Sequence, residues 1–319
     1  MKEDVCEFIR RCAADPSHDA GFEALAQELF RWQRENVPDY RRFVGDIESS
    51  VSYRQHPVPT PLFTRFRFCA GESTVHFQTS GTTAGIRGHH YMPDAEAYAL
   101  SVTSGVARLP FAIPTSNTVS LCPNSEEFPE SSLGRMIAIL SPSARSFFSR
   151  THGVHQEACW ANLRQQNEPV FLASTALALA DLLDEGSRLT LPHGSVLMIT
   201  GGYKGQQKSI PEALLHQKAL QQLGSSTQLI REYGMTELSS QLWDWGEGYR
   251  APPWLKVWTQ FPDTAGVGQL CFADLANWGS CMVVETQDMG RVQDGVVELL
   301  GRIPGMRARG CSLVAEEAR

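Results

Sequence analysis

The chain has 319 residues, 42% hydrophobic and 20% charged, which can fill a sizeable core in one large domain with subdomains or in two domains. Its formal net charge of −7 argues against a nucleic-acid binder, whose electrostatic footprint is a basic surface. No apolar run reaches the roughly 18 residues of a spanning helix, and Met1-Lys-Glu-Asp-Val-Cys6 has no secretory apolar segment, so neither a membrane nor export is expected.

In chain order, residues 1–50 read as helical, with Phe22, Leu25, Leu29 and Trp32 recurring every three or four residues. The run His56-Pro-Val-Pro-Thr-Pro61 is expected to be a connector. From about 74 to 240, apolar strand candidates alternate with helical stretches. The strands are Thr74–Phe77, Val119–Cys122, Val170–Ala173, Val196–Ile199 and Thr227–Ile230, and the helices Ala176–Glu185 and Pro211–Leu223. This alternation predicts an α/β fold with a largely parallel sheet that binds ligands at its carboxyl edge. After about 255 come short strands, at Gly268–Phe272, Ser280–Val284 and Gly295–Leu300. The expected organisation is a helical segment and connector (1–60), an α/β nucleotide-binding core (61–254) and a small β-rich subdomain (255–319). Eight cysteines (Cys6, Cys12, Cys69, Cys122, Cys159, Cys271, Cys281, Cys311) form no Cys-x-x-Cys pair and no ligand cluster with the nine histidines. They read as reduced thiols of a cytoplasmic protein.

Two segments carry chemistry. The first is Phe77-Gln-Thr-Ser-Gly-Thr-Thr-Ala-Gly-Ile-Arg-Gly88, which follows a strand. Hydroxyls at Thr79, Ser80, Thr82 and Thr83, glycines at Gly81, Gly85 and Gly88, and the Arg87 cation can together surround phosphate oxygens. It is not a Walker A loop, because no Gly-Lys-Ser/Thr follows at the required spacing. By itself, such a run is also what an ordinary flexible loop looks like. The second segment is Arg231-Glu-Tyr-Gly-Met-Thr-Glu-Leu-Ser-Ser240. Tyr233 offers a flat face for adenine, Gly234 a tight turn, Thr236 a donor for an α-phosphate and Glu237 a hard oxygen ligand for Mg²⁺. The purely structural alternative is a buried tyrosine and a solvated Thr-Glu helix start.

Together, in this order, the two segments resemble the phosphate loop and the Tyr-Gly-x-Thr-Glu motif of the acyl-adenylate-forming superfamily. The loop departs from that pattern at Ala84, in place of a glycine, and at Arg87, in place of a lysine. Two further segments fit the resemblance. Val196-Leu-Met-Ile-Thr-Gly-Gly-Tyr-Lys204 is similar to the superfamily's strand and Gly-Gly pair, which would put Gly201 and Gly202 beside the adenine. Thr286-Gln-Asp-Met-Gly290 and Gly301-Arg302 are similar to its Thr-Gly-Asp-Leu and Gly-Arg segments, which implies that Asp288 holds the ribose hydroxyls and Arg302 the nucleotide. Within the superfamily, Gly201–Gly205, Tyr233–Gln241 and Arg309-Gly-Cys-Ser-Leu313 resemble the acyl-protein synthetases of bacterial bioluminescence and their antibiotic-pathway relatives.

The resemblance implies a ligase that uses ATP and Mg²⁺ to convert a fatty or aryl acid to an acyl-adenylate with release of pyrophosphate. Acyl transfer to a thiol follows, on its own cysteine or on a carrier or reductase protein. Cys311 occupies the matching context, where Arg307 and Arg309 would favour a thiolate; its other reading is a small buried hydrophobe. The superfamily's mobile C-terminal domain and its lysine are expected to be absent, leaving Arg87, Arg302, Lys204 or Mg²⁺ to hold the developing phosphate charge. Trp243 and Trp245 read either as walls of an acyl pocket or as anchors between subdomains. The competing function is a degenerate nucleotide or acyl-adenylate binder. A serine hydrolase is disfavoured, because no Gly-x-Ser-x-Gly elbow occurs.

Overall fold

The computed structural model describes residues 1–15, 20–46, 48, 51–79, 87–201 and 210–303. Twelve strands make one mixed sheet. Its parallel part runs Arg145–Ser146, Thr118–Leu121, Phe171–Thr175, Val196–Thr200, Gln228–Tyr233 in spatial order. Phe171–Thr175 and Val196–Thr200 are buried at every position, which accounts for their unalternating apolar sequences: helices cover both faces. Alternate side chains sort cleanly. Phe171, Ala173, Val196, Met198 and Ile230 pack with Tyr98 and Val102 of helix Glu96–Ala107 and with Met136 and Ile137 of helix Ser132–Leu140. Leu172, Leu197 and Ile199 pack on the other side with Leu177 and Leu182 of helix Ala176–Asp184 and Leu215 of helix Glu212–Leu223.

Beyond Gln228–Tyr233 every step along the sheet is antiparallel, through Leu242–Asp244, Tyr249–Arg250, Val296–Arg302, Val283–Gln293, Val267–Asp274 and Leu255–Gln260. The β-rich C-terminal texture therefore continues the sheet of the parallel core. Three N-terminal helices, Lys2–Ala14, Phe22–Asn36 and Pro38–Val44, cover this part, with Phe8, Phe22, Leu29 and Phe30 packed in the cluster of Leu270, Phe272, Val283 and Val284. The proline-rich run is more than a connector, since Val58–Pro59 pairs parallel with Val283–Gln293. Among the described residues no helix is long and apolar enough to cross a membrane.

One expectation about the sheet is corrected. The strand before the Ser/Thr/Gly loop, Val75–Gln78, does not join the large sheet; it pairs antiparallel with His89–Met92 in a separate two-stranded hairpin. The Ser/Thr/Gly segment therefore follows a strand of this hairpin and not a strand of the large sheet.

Candidate active site

The neck of that hairpin is closed twice. The Thr79 N–H donates to the Gly88 carbonyl at 2.9 Å, and the Gly88 N–H donates to Thr79 Oγ1 at 2.8 Å. Ser80, Gly81, Thr82 and Thr83 lie outside the described residues; Arg87, at the neck, is half-buried. A Cβ built on Gly88 would lie 3.2 Å from Thr79 Cγ2 and 3.7 Å from Glu237 Oε1. The two sequence motifs thus meet at Gly88, with the Glu237 carboxylate against the base of the loop.

Thr236 and Glu237 occupy a turn after strand Gln228–Tyr233, and both are buried, at 7% and 5% exposure. A solvated helix start is therefore not what this segment forms. His90 Nδ1 lies 2.7 Å from the Thr236 carbonyl, and His90 Nε2 2.8 Å from Ser280 Oγ. A neutral ring with its proton on Nδ1 satisfies both contacts, and complete burial pushes the His90 pKa down to about 4. The Thr236 hydroxyl reaches the Gln78 carbonyl at 3.5 Å, and Asn277 Nδ2 donates to the Glu237 carbonyl at 2.8 Å. The next two residues are clamped by Asp274. It accepts the Ser239 and Ser240 N–H groups, both at 2.9 Å, and the Ser240 hydroxyl at 2.7 Å. Burial outweighs these donors and lifts the Asp274 pKa to about 6.

A second group forms around Asp288. The Tyr233 hydroxyl donates to Asp288 Oδ2 at 2.9 Å, and Arg302 Nε donates to Asp288 Oδ1 at 3.0 Å across the paired strands. Thr286 Oγ1 accepts the Asp288 N–H at 3.0 Å, which turns this part of the strand toward Tyr233. Phe272 stacks against one side of the Tyr233 ring at 5.9 Å and 19°. The structure thus brings Tyr233, Asp288 and Arg302 into one cluster, although the sequence separates them.

Gly201, with a left-handed φ of 69°, ends strand Val196–Thr200 beside Gln228–Tyr233. Just before it, Thr200 donates a short hydrogen bond to the buried Glu232 carboxyl, whose pKa burial raises to about 7. Gly234 is dictated by Glu232: a Cβ there would sit 2.3 Å from Glu232 Oε1. Trp243 is buried in the cluster beneath helix Glu96–Ala107, with Trp245 half-buried against it, so both serve the core. Gly202, Lys204 and Cys311 lie outside the described residues. The seven described cysteines are all free and buried.

No family model matches the chain, and no curated protein matches it. Solved structures do. An open conformation of 2-hydroxyisobutyryl-CoA ligase in complex with 2-HIB-AMP and CoA aligns with a TM-score of 0.62 at 14% identity, covering 91% of this chain and 71% of that one. ATP-bound MatB from Rhodopseudomonas palustris aligns at 0.52 and 15% identity, covering 72% and 48%. McyG A-PCP complexed with phenylalanyl-adenylate aligns at 0.52 and 16% identity, covering 73% and 48%. The chain shares its fold with these three proteins. It spans about half the length of the MatB and McyG chains.

Several residues of these clusters carry no signal in the sequence. His90 is the second of two adjacent histidines in a short strand and is buried between half-buried neighbours, which no sequence pattern marks. Asp274 and Asn277 lie in Asp-Leu-Ala-Asn, which carries no motif; their partners are some 35 to 40 residues earlier in the chain. Glu232 was passed over as an unremarked neighbour of Tyr233.

Proposed function

We propose that this chain activates a carboxylic acid with ATP, forming an acyl-adenylate and releasing pyrophosphate. The observation that carries the proposal is the contact at Gly88, where the neck of the Ser/Thr/Gly loop meets the buried Thr236-Glu237 turn. In this reading Ser80, Thr82, Thr83 and the amides of the loop cradle the phosphates, with Thr79 and Gly81 shaping its entry. Thr236 donates to the α-phosphate, and Arg87 offsets the charge that builds on it. Tyr233, Gly201 and Gly202 border the adenine, while Asp288 and Arg302 hold the ribose side of the nucleotide.

Glu237 fits a Mg²⁺ ligand: it is a hard oxygen donor facing the loop neck, and Mg²⁺ is usually bound by one or two carboxylates together with substrate phosphates. Among the described residues no group of three or more His, Cys, Asp or Glu side chains is arranged to hold a metal. When bound there, Mg²⁺ would supply charge neutralisation at the phosphates. One carboxylate oxygen of the acid attacks the α-phosphorus, the bond to the bridging oxygen breaks, and pyrophosphate carries away that electron pair. Thr236 and Arg87 act as the charge shifts; the hydrogen bonds from His90 and Asn277 keep the turn fixed while it does so.

The subsequent step in this proposal is acyl transfer to a thiol, as in the acyl-protein synthetases of bioluminescence. The thiol is Cys311 or belongs to a carrier or reductase partner protein, in the cytoplasm. The Cys311 thiolate attacks the acyl carbonyl, a thioester forms, and AMP leaves. ATP–pyrophosphate exchange across a panel of fatty, aryl and amino acids tests the first step. ATP binding without exchange for any acid would leave a nucleotide binder and end the ligase reading. Hydroxylamine-labile acyl label that disappears in Cys311→Ser tests the second.

A further inference from the structure

Strand Gln228–Tyr233 presents alternate residues to the two faces of the sheet. Arg231 points to one side, where it pairs with Glu212 and Asp244. Glu232 lies on the opposite side, the side of helix Glu96–Ala107, together with Ile230 and the cross-strand residue Trp243. Among the described residues, Thr200 is its one hydrogen-bond partner, and no cation compensates it. Gln241 stands next to it. A Cβ on Gly234 would fall 2.3 Å from Glu232 Oε1 and 3.6 Å from Gln241 Cγ, so the two side chains flank the bare Gly234 backbone. Gln241 is 6% exposed, and its Oε1 has no hydrogen-bond partner among the described residues. Trp243 closes the side toward the helix, its Nε1 lying 3.5 Å from the place a Cβ on Gly105 would take.

Among the described residues the Glu232 carboxyl has no cation, which makes its charged form costly, and the Gln241 amide oxygen has no donor. An orphaned acceptor forfeits about 1–3 kcal/mol. Native proteins rarely leave such atoms unmatched without a reason. Here the two sit side by side at the carboxyl edge of the parallel strands, four residues before Thr236 on one arm and one residue after Ser240 on the other. In the adenylation reading, an acid whose carboxylate faces the Thr236-Glu237 turn would extend toward this pair.

We propose that Glu232 and Gln241 form a recognition site for an amino group on the acid substrate. The inference rests on the adenylation reading and names its substrate class: amino acids or aminoaryl acids. An ammonium or amine brings several N–H donors, enough to bond both acceptors, and its charge offsets the Glu232 carboxylate. A hydroxyl has one donor and no charge, and an alkyl chain has neither. Thr200 holds Glu232 in place, Gly234 leaves room for its oxygen, and Arg231 is diverted to the other face, so it does not compete with an incoming ammonium for Glu232.

The test compares matched pairs in ATP–pyrophosphate exchange: phenylalanine against 3-phenylpropanoate, 2-aminobenzoate and 3-aminobenzoate against benzoate, 3-hydroxybenzoate, and hexadecanoate. The expected result is a preference of about tenfold or more in kcat/KM for an amino acid over its counterpart lacking nitrogen, as expected when a buried polar site is left unpaired. Glu232→Gln, which keeps the side-chain shape, should erase most of that preference by raising KM for the amino substrate. Gln241→Leu should weaken it in the same direction, and guards against a Glu232 variant that fails to fold. Equal or better turnover of the nitrogen-free acids, or unchanged preference in both variants, overturns this inference while leaving acid activation intact. Exchange with none of the acids overturns both readings.

Discussion

His90 holds Thr236 from behind. Its Nδ1 is 2.7 Å from the Thr236 carbonyl, and the two residues lie 146 positions apart. Through this contact the hairpin that carries the Ser/Thr/Gly loop is tied to the turn that carries Thr236 and Glu237. His90→Ala would take this donor from the buried Thr236 carbonyl and leave the Ser280 hydroxyl only its 3.5 Å contact with the Asn277 carbonyl. The expected loss of stability is about 1–3 kcal/mol for each group left without a partner. Exchange activity should fall as well, because Thr236 would lose its backing. Urea denaturation and pyrophosphate exchange measure the two effects, and a variant unchanged in both would show that the hairpin and the turn are positioned independently.

Gly234→Ala is expected to be out of proportion to the single methyl group added. The new Cβ would lie 2.3 Å from Glu232 Oε1, so Glu232 must swing away from Thr200 or the backbone must move. Overpacking of this kind costs about 1–3 kcal/mol. The double variant Gly234→Ala with Glu232→Ala removes the colliding atom and should recover most of the lost stability. Thermal unfolding of the two variants decides it: no recovery in the double variant would place the strain in the turn backbone.

Tyr233→Phe and Asp288→Ala should separate a supporting role from a binding one. The Tyr233 hydroxyl donates to Asp288, and Arg302 grips the other oxygen of the same carboxylate. Removing the hydroxyl leaves Asp288 in place with one support fewer, and ATP affinity should weaken by about 0.5–1.5 kcal/mol. Asp288→Ala removes the acceptor itself and should weaken ATP binding by about 1.5–3 kcal/mol, as for a lost hydrogen bond to a charged group. Calorimetry with ATP reads both values. Unaltered affinity in Asp288→Ala would take Asp288 out of the nucleotide site.

The strands of the parallel core were legible because burial on both faces leaves a continuous apolar run, as in Val196–Thr200, bounded by Gly201. Helices Ala176–Asp184 and Glu212–Leu223 likewise fell within a residue of their expected bounds. Hairpin Val75–Met92 was not legible as a separate sheet, since its period matches any half-buried strand and pairing partners are a tertiary matter. Within the site, Thr236, Glu237 and Asp288 stood out through their motifs. His90, Asp274 and Asn277 did not, because each serves through a hydrogen bond to a backbone or hydroxyl far away in sequence. No local pattern records such a partner.

The pH dependence of stability should carry the signature of Asp274. Its carboxyl has an ordinary value of 3.8 and is pushed up to about 6 in the fold, with burial as the largest cause. The folded state therefore keeps a proton that the unfolded chain releases, and stability attributable to this group is lost as pH rises from about 4 to about 6. Glu232, raised from 4.5 to about 7, acts in the same direction over a slightly higher window. His90 acts in reverse. Its pKa falls from 6.5 to about 4, so the unfolded state binds the extra proton and stability rises with pH across that interval. In the wild type these slopes partly cancel, and Asp274→Asn removes one of them. The variant keeps one side-chain oxygen and replaces the other by an NH2 group, so either the Ser239 and Ser240 N–H groups or the Ala276 N–H and Ser240 hydroxyl lose their acceptor, and it should be less stable overall. Its deficit relative to wild type should nevertheless shrink as pH rises from 4 to 6, by up to about 1.4 kcal/mol per pH unit, and then level off. Urea denaturation of both proteins at pH 4, 5, 6 and 7 measures this. A deficit that stays constant across the series would mean that the four donors keep Asp274 ionised throughout, so that hydrogen bonding rather than burial sets its charge.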